Sequence, residues 1–222
     1  LRIPENEQIE HKMLTNAIEK AQKKIENNNF GIRKTLLEYD QINNEQREII
    51  YEERRRVLDG ESMRNVIMKM ISDNVESIVN KCISDELSPD EWDLRDLNTQ
   101  LLPIIPIEPV TDVSGFHKKD QLIHEIKEKA VKLYESKEAE IGDAEKMREI
   151  ERVILLRVID AKWMDHIDDM DQLRQGIGLQ AFGNRNPVIE YKMAGFDMFD
   201  AMTAAISEDT IRLLLHVKVE QK

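Results

Sequence analysis

Apolar residues recur at helical spacing along most of this chain. Leu14, Ile18, Ala21 and Ile25 follow one another at steps of four, three and four residues, which places them on one face of a helix. The stripe resumes at Ile32, Leu36 and Tyr39, then at Ile42, Ile49, Ile50 and Val57. No proline interrupts the stretch from Glu7 to Leu58. At ~1.5 Å per residue, such an element is a rod of about 75 Å, far longer than a common globular helix. "NNNFGIR", Asn27 to Arg33, gathers poor helix formers around Gly31. A bend or a contact is expected there, within one element.

The pattern then shortens. A helix from Ser62 to about Ser84 carries Val66, Met70, Val75, Ile78 and Val79. "SPDEWDLRDLNTQLL" reads as a turn capped by Ser88 and a helix from about Trp92 to Leu101. Pro103, Pro106 and Pro109 stop that helix and favour extended chain. A further helix runs from about Lys118 to Ile141, with Leu122, Ile126, Ala130 and Leu133 on one face and Gly142 at its end.

From about Lys146 to Phe182 a second long rod is expected, roughly 55 Å at the helical rise. Its stripe includes Ile150, Val153, Leu156, Trp163, Ile167, Met170 and Ile177. After a short turn, Ile189, Met193, Phe196, Phe199, Met202 and Ile206 form another. Two amphipathic helices joined this tightly pack as an antiparallel hairpin. Gly183 suits the helix C-cap, and Asn186 followed by Pro187 suits the next N-terminus, with Glu190 in its first turn. Asn184 and Arg185 fall at the apex. Gly176 and Gly178 sit inside the incoming helix, where each costs about 1 kcal/mol relative to Ala. Close helix packing or local flexibility near the tip would account for them. Phe182 either folds back on Ile189 or meets a partner. "VKVEQK" reads as a fraying tail.

Composition narrows the function classes. The 222 residues carry a formal net charge of −12, with 34% charged and 5% aromatic residues. That suits exposed helices and argues against a general nucleic-acid binder, which needs a basic surface. A lone Cys82 allows no intrachain disulfide and no thiolate metal cluster, in keeping with a reducing cytosolic setting. No apolar run reaches the ~18 residues of a membrane span. The chain starts at Leu1 without a secretory leader. It therefore reads as an excerpt of a longer protein.

Two stretches resemble a known family. "WMDHIDDMDQLRQGIGLQAFGNRNPVIEYKMAGFDMF", Trp163 to Phe199, resembles the two-helix finger of SecA, the bacterial preprotein translocase motor. It has the Trp, the His three residues on, MD-x-LR-x-GI, an aromatic in the loop, N-P, EY and GF-x-MF. "NFGIRKTLLEYDQINNEQREIIYEERR", Asn29 to Arg55, resembles the SecA scaffold helix. The order of segments fits over essentially the whole chain. Gln180 and Phe182 stand where the family loop usually carries Leu-Arg and a Tyr. Gln41 follows Asp40 where a second Asp is usual, and Gly31 stands where Asp is common. Phe182 lacks the tyrosine hydroxyl, so only its apolar contact survives.

The resemblance implies an all-α, elongated multihelical array. A long scaffold helix would occupy 1–59, a small helical wing 60–143, and the scaffold continuation with an antiparallel two-helix finger 144–222, its tip at about 179–187. It implies a module that couples ATPase domains, absent from this chain, to a finger contacting the SecYEG channel and unfolded preproteins. Tip contacts would come from Gln180, Phe182, Gly183, Asn184, Arg185 and Asn186. Docking on the nucleotide-binding domains would involve Arg33, Lys34, Glu38, Tyr39, Asp40, Gln46, Arg47 and Arg54. The resemblance further implies ATP and Mg as cofactors of the full-length protein, and a peripheral position at the cytoplasmic face of the inner membrane, with indirect contact to its anionic surface. A homodimer stays open, and so does an accessory SecA paralogue.

No G-x-x-x-x-G-K-[ST] loop is present, so no phosphate cradle of that kind is expected in this chain. "DHIDDMD" places His166 and Asp169 on one helix face, where a solvated face is expected over a metal site. "EERRR", Glu52 to Arg56, reads as a solvated face with intrahelical pairs. The competing assignment is a stand-alone helical rod that self-associates, which strict heptads would support and "NNNFGIR" interrupts.

Overall fold

The computed structural model describes residues 12–180 and 186–218. Among these residues the fold is all-helical, without strands. Helix α1, Lys12–Leu58, is one element of 47 residues, ~70 Å long at the helical rise. It runs unbroken through Gly31, where an added Cβ would meet nothing within 4 Å. The apolar stripe splits into two halves. Leu14, Ile18, Ile25, Phe30, Ile32 and Leu36 are exposed, while Tyr39, Ile42, Gln46, Ile50 and Val57 are buried. The contact expected at "NNNFGIR" is not made within the described chain.

Helix α2, Arg64–Cys82, buries Ile67, Ile71, Val75, Ile78 and Val79. Val66 and Met70, expected on its inner face, are only half-buried. A 3-10 turn, Pro89–Glu91, follows Ser88, whose N–H donates to the Glu91 carboxylate at 3.0 Å. Helix α3, Leu94–Leu101, starts two residues later than expected because the Asp93 side chain caps it, accepting from Asp96 N–H at 2.9 Å. The proline-rich stretch is then clamped by one side chain. The Asn98 amide donates to Val110 O at 2.8 Å and accepts from Val110 N–H at 2.9 Å, a ladder-like pairing for a segment that has no strand partner. Helix α4, Lys119–Ile141, ends at Gly142, whose φ of 70° is the left-handed C-cap conformation that glycine adopts without strain. Cys82 is half-buried. Burial and Asp96 push its thiol up to about 11, so it stays protonated and unreactive at neutral pH.

Helices α5, Ala144–Gln180, and α6, Pro187–His216, form the hairpin. His166 faces Phe199 and Met170 faces Gly195, so α6 returns antiparallel. The buried face of α6 is Tyr191, Gly195, Phe199, Met202 and Ile206. Ile189, Met193 and Phe196, expected on that face, are 55%, 61% and 45% exposed. The helix carries two stripes at helical spacing, and the packed one contains a tyrosine and a glycine. Gly176 does not serve close packing, because a Cβ there would meet nothing within 4 Å. Gly195 has that role instead.

The core does not divide along the three segments. Ile50 and Val57 of α1, the buried faces of α2 to α4, and Met147, Trp163, Phe199 and Ile211 of the hairpin belong to one contiguous apolar cluster. A smaller one, Tyr39, Ile42, Met170, Ile177 and Tyr191, lies where α1 crosses the hairpin towards its tip.

Candidate functional site

Between these two clusters a buried polar joint ties α1 to both helices of the hairpin. Gln46 is 2% exposed. Its Nε2–H donates to the Gly195 carbonyl of α6 at 2.9 Å, and its Oε1 lies 2.9 Å from His166 Nε2 of α5. An amide oxygen can only accept, so His166 carries its proton on Nε2. One side chain thus bridges three helices. The His166 ring sits between Trp163 and Phe199, at centroid distances of 5.6 and 5.8 Å.

Glycine at 195 lets this joint close tightly, and a side chain there would have to push aside the free end of Met170. A Cβ would lie 2.9 Å from Met170 Cε and 3.8 Å from Gln46 Nε2. One helical turn away, Tyr191 is fully buried and donates from its hydroxyl to Asn43 Oδ1 at 2.8 Å. Its ring meets Tyr39 edge-on at 4.7 Å. Farther along α1, Arg54 pairs with the Asp160 carboxylate through Nε at 2.8 Å and Nη2 at 3.4 Å. That pair lines an open groove of about 740 Å³ with Tyr51, Leu58, Trp163 and Met164.

His166 was expected on a solvated face, and it is instead 3% exposed. Asp165, Asp168, Asp169 and Asp171 remain exposed around it. Burial pushes the imidazole below its ordinary value, against a weaker upward pull from Asp169. The neutral ring is therefore the folded form. Below about 6.5 the unfolded chain binds the proton that the folded chain resists, so this group's contribution to stability falls as pH drops through that range. Urea unfolding at pH 7.5 and 5.5 is expected to show a larger loss for the native chain than for His166→Gln. Equal losses would remove His166 as the cause.

The residues expected to dock on other domains separate into two sets. Tyr39 and Gln46 turn inward against the hairpin, and Arg54 reaches α5 through an exposed ion pair with Asp160. The others stay on the helix surface. Arg33 donates to Asn29 O at 3.3 Å, Lys34 and Glu38 pair at 3.9 Å, Arg47 donates to Asn44 Oδ1 at 3.3 Å, and Asp40 is exposed. In "EERRR", Arg56 pairs with Glu53 at 3.0 Å as an intrahelical pair and with Glu61 at 3.1 Å beyond the helix. At the tip, Asn186 caps α6 by accepting from Val188 N–H at 3.0 Å. Gln180 is the last residue of α5. The Gln180 side chain and Phe182, Gly183, Asn184 and Arg185 lie outside the described residues. Asn43, His166, Tyr191 and Gly195 were not picked out as a site from the sequence. The signal that could have found them is the four-residue step from Tyr191 through Gly195 to Phe199, with a glycine at its centre.

Comparison with known proteins places this geometry. A family model described as the SecA Wing and Scaffold domain matches residues 8–218. The protein translocase subunit SecA of Lachnoclostridium phytofermentans is 69% identical over 230 residues, covering 100% of this chain and 26% of that protein. SecA of Acetivibrio thermocellus is 46% identical, covering 100% of this chain and 25% of the relative. SecA 1 of Alkaliphilus metalliredigens is 47% identical, covering 99% and 25%. The chain spans about a quarter of the length of these curated relatives. With a single long helix bonded to a two-helix hairpin, and a family match over nearly its whole length, the chain belongs to the SecA wing and scaffold domain family.

Proposed function

We propose that the chain is the mechanical module of a SecA-like motor that drives preproteins through the SecYEG channel. The joint at Gln46 carries this reading. One amide couples the long helix to both hairpin helices, so a displacement of α1 moves the hairpin as a body. The exposed first half of α1 is available to the nucleotide-binding domains that the longer relatives have room for. ATP and Mg would be held there, since this sequence has no G-x-x-x-x-G-K-[ST] loop. The hairpin tip, Gln180 to Asn186, meets the channel mouth and the unfolded polypeptide. Phe182 offers an apolar grip that needs no hydrogen-bond readout, as varied sequences demand. No described helix is long and apolar enough to cross a membrane, which suits a peripheral position at the cytoplasmic face.

The test uses the full-length protein. Phe182→Ala is expected to reduce transport of a preprotein into SecYEG vesicles while ATP hydrolysis persists. The 222-residue chain alone is expected to release no phosphate from ATP above blank. Normal transport by Phe182→Ala would remove the tip contact, and steady hydrolysis by the clean chain would overturn its assignment as a non-catalytic module.

A further inference from the structure

The turn from α4 into α5 is short and tight. Gly142 takes the left-handed conformation, and the Asp143 carboxylate caps α5 by accepting from Glu145 N–H at 2.9 Å. Just inside it lies a charged network that the joint at Gln46 does not use. Tyr134 and Glu151 are both 0% exposed. The Tyr134 hydroxyl donates to the Glu151 carboxylate and accepts from Arg148 Nη1 at 2.7 Å. Arg148 Nη1 also reaches both Glu151 oxygens, at 2.7 and 2.8 Å, while its Nη2 pairs with Glu138. Glu138 accepts in turn from Arg64 Nη1 of α2 at 2.9 Å, and the Arg64 guanidinium lies 5.9 Å over the Tyr134 ring. Arg64 also lies 3.7 Å from the exposed Glu135 carboxylate, and the chain of contacts runs α2–α4–α5.

Such a network adds little net stability over well-packed apolar side chains, because desolvating the charges offsets their attraction. What it does supply is selectivity. Glu151 keeps Arg148, three residues away on α5, at any angle, but another angle of α4 on α5 would break both Tyr134 hydroxyl bonds and the Arg148–Glu138 pair together. We propose that the Arg64–Glu138–Arg148–Glu151–Tyr134 network is a latch that sets the angle of α4 on α5 within the shared apolar core, and that its loss widens the range of that angle about Gly142. Tyr134 and Glu138 form its α4 side and Arg148 and Glu151 its α5 side, so the bonds that cross between the helices are the ones the angle makes or breaks. This inference stands apart from the translocase reading.

The test uses the full chain with Cys82→Ser, labelled at Lys132→Cys on α4 and Asp168→Cys on α5, and reads the interlabel distance by pulsed electron resonance. The unaltered network is expected to give one narrow distribution. Tyr134→Phe, the mildest break, and Glu151→Gln, the stronger one, are expected to broaden it by about twofold or add a second population. The triple change Tyr134→Phe, Arg148→Met, Glu151→Leu separates latching from simple stabilisation. It is expected to keep or raise the thermal midpoint while the distribution stays broad. A narrow, unshifted distribution in Tyr134→Phe or in the folded triple variant would overturn the proposal.

Discussion

Replacing Tyr191 with alanine is expected to cost the chain about 3–5 kcal/mol of unfolding free energy, the range of buried large-aromatic truncations. The side chain is fully buried in the smaller cluster, edge-on to Tyr39, between α1 and the hairpin. Only a small part of the loss is polar. Tyr191→Phe keeps the ring and removes the bond to Asn43, so it is expected to cost about 1 kcal/mol. Urea denaturation of both variants checks the split. If alanine cost no more than phenylalanine, the ring would not be what fastens the hairpin to α1.

The second large effect is expected at Gln46. Alanine there orphans the buried His166 Nε2–H, while the Gly195 carbonyl keeps its bond within α6. A cost of about 1–3 kcal/mol is expected, the range for one buried polar group left unsatisfied. The double change with His166→Ala is expected to cost less than the sum of the two, with a coupling of about 0.5–3 kcal/mol. Strict additivity would mean that the amide and the imidazole do not act as one unit. In the full-length protein, under the proposed function, Gln46→Ala is expected to leave ATP hydrolysis running while transport drops. Loss of both together would point to misfolding instead of uncoupling.

Much of the architecture is legible in the residues. The long helix follows from an apolar stripe without proline between Glu7 and Leu58. The start of α6 follows from Asn186 and Pro187, and the end of α4 from Gly142. These are local signals, set by backbone conformation and capping within a few residues. Ser88 stands at the N-cap of the turn as expected, and the helix after it begins late because Asp93 caps it separately. Periodicity does not place a helix start to the residue, whereas the cap does.

The joint was less legible, for a physical reason. A helical stripe tells which residues share a face but not whether that face meets anything. α1 shows one stripe from Leu14 to Val57, and the structure covers only the second half. In α6 the more hydrophobic stripe, Ile189–Met193–Phe196, faces outward, because Gly195 lets the other face approach Met170 and Gln46 closely. His166 reads as one polar residue in an acidic run until Gln46, 120 positions away, supplies its partner.

The sequence by itself determined the helical class, the approximate positions of the helices, the caps at Gly142 and Asn186, and the resemblance to the family, because all of these rest on short-range preferences and residue order. Only the tertiary structure decided which faces are buried, that Gln46, His166 and Gly195 form one joint, and that Arg148 and Glu151 complete a network with Tyr134 and Glu138. Burial and polar pairing are properties of two surfaces in contact, and no single helix carries them alone.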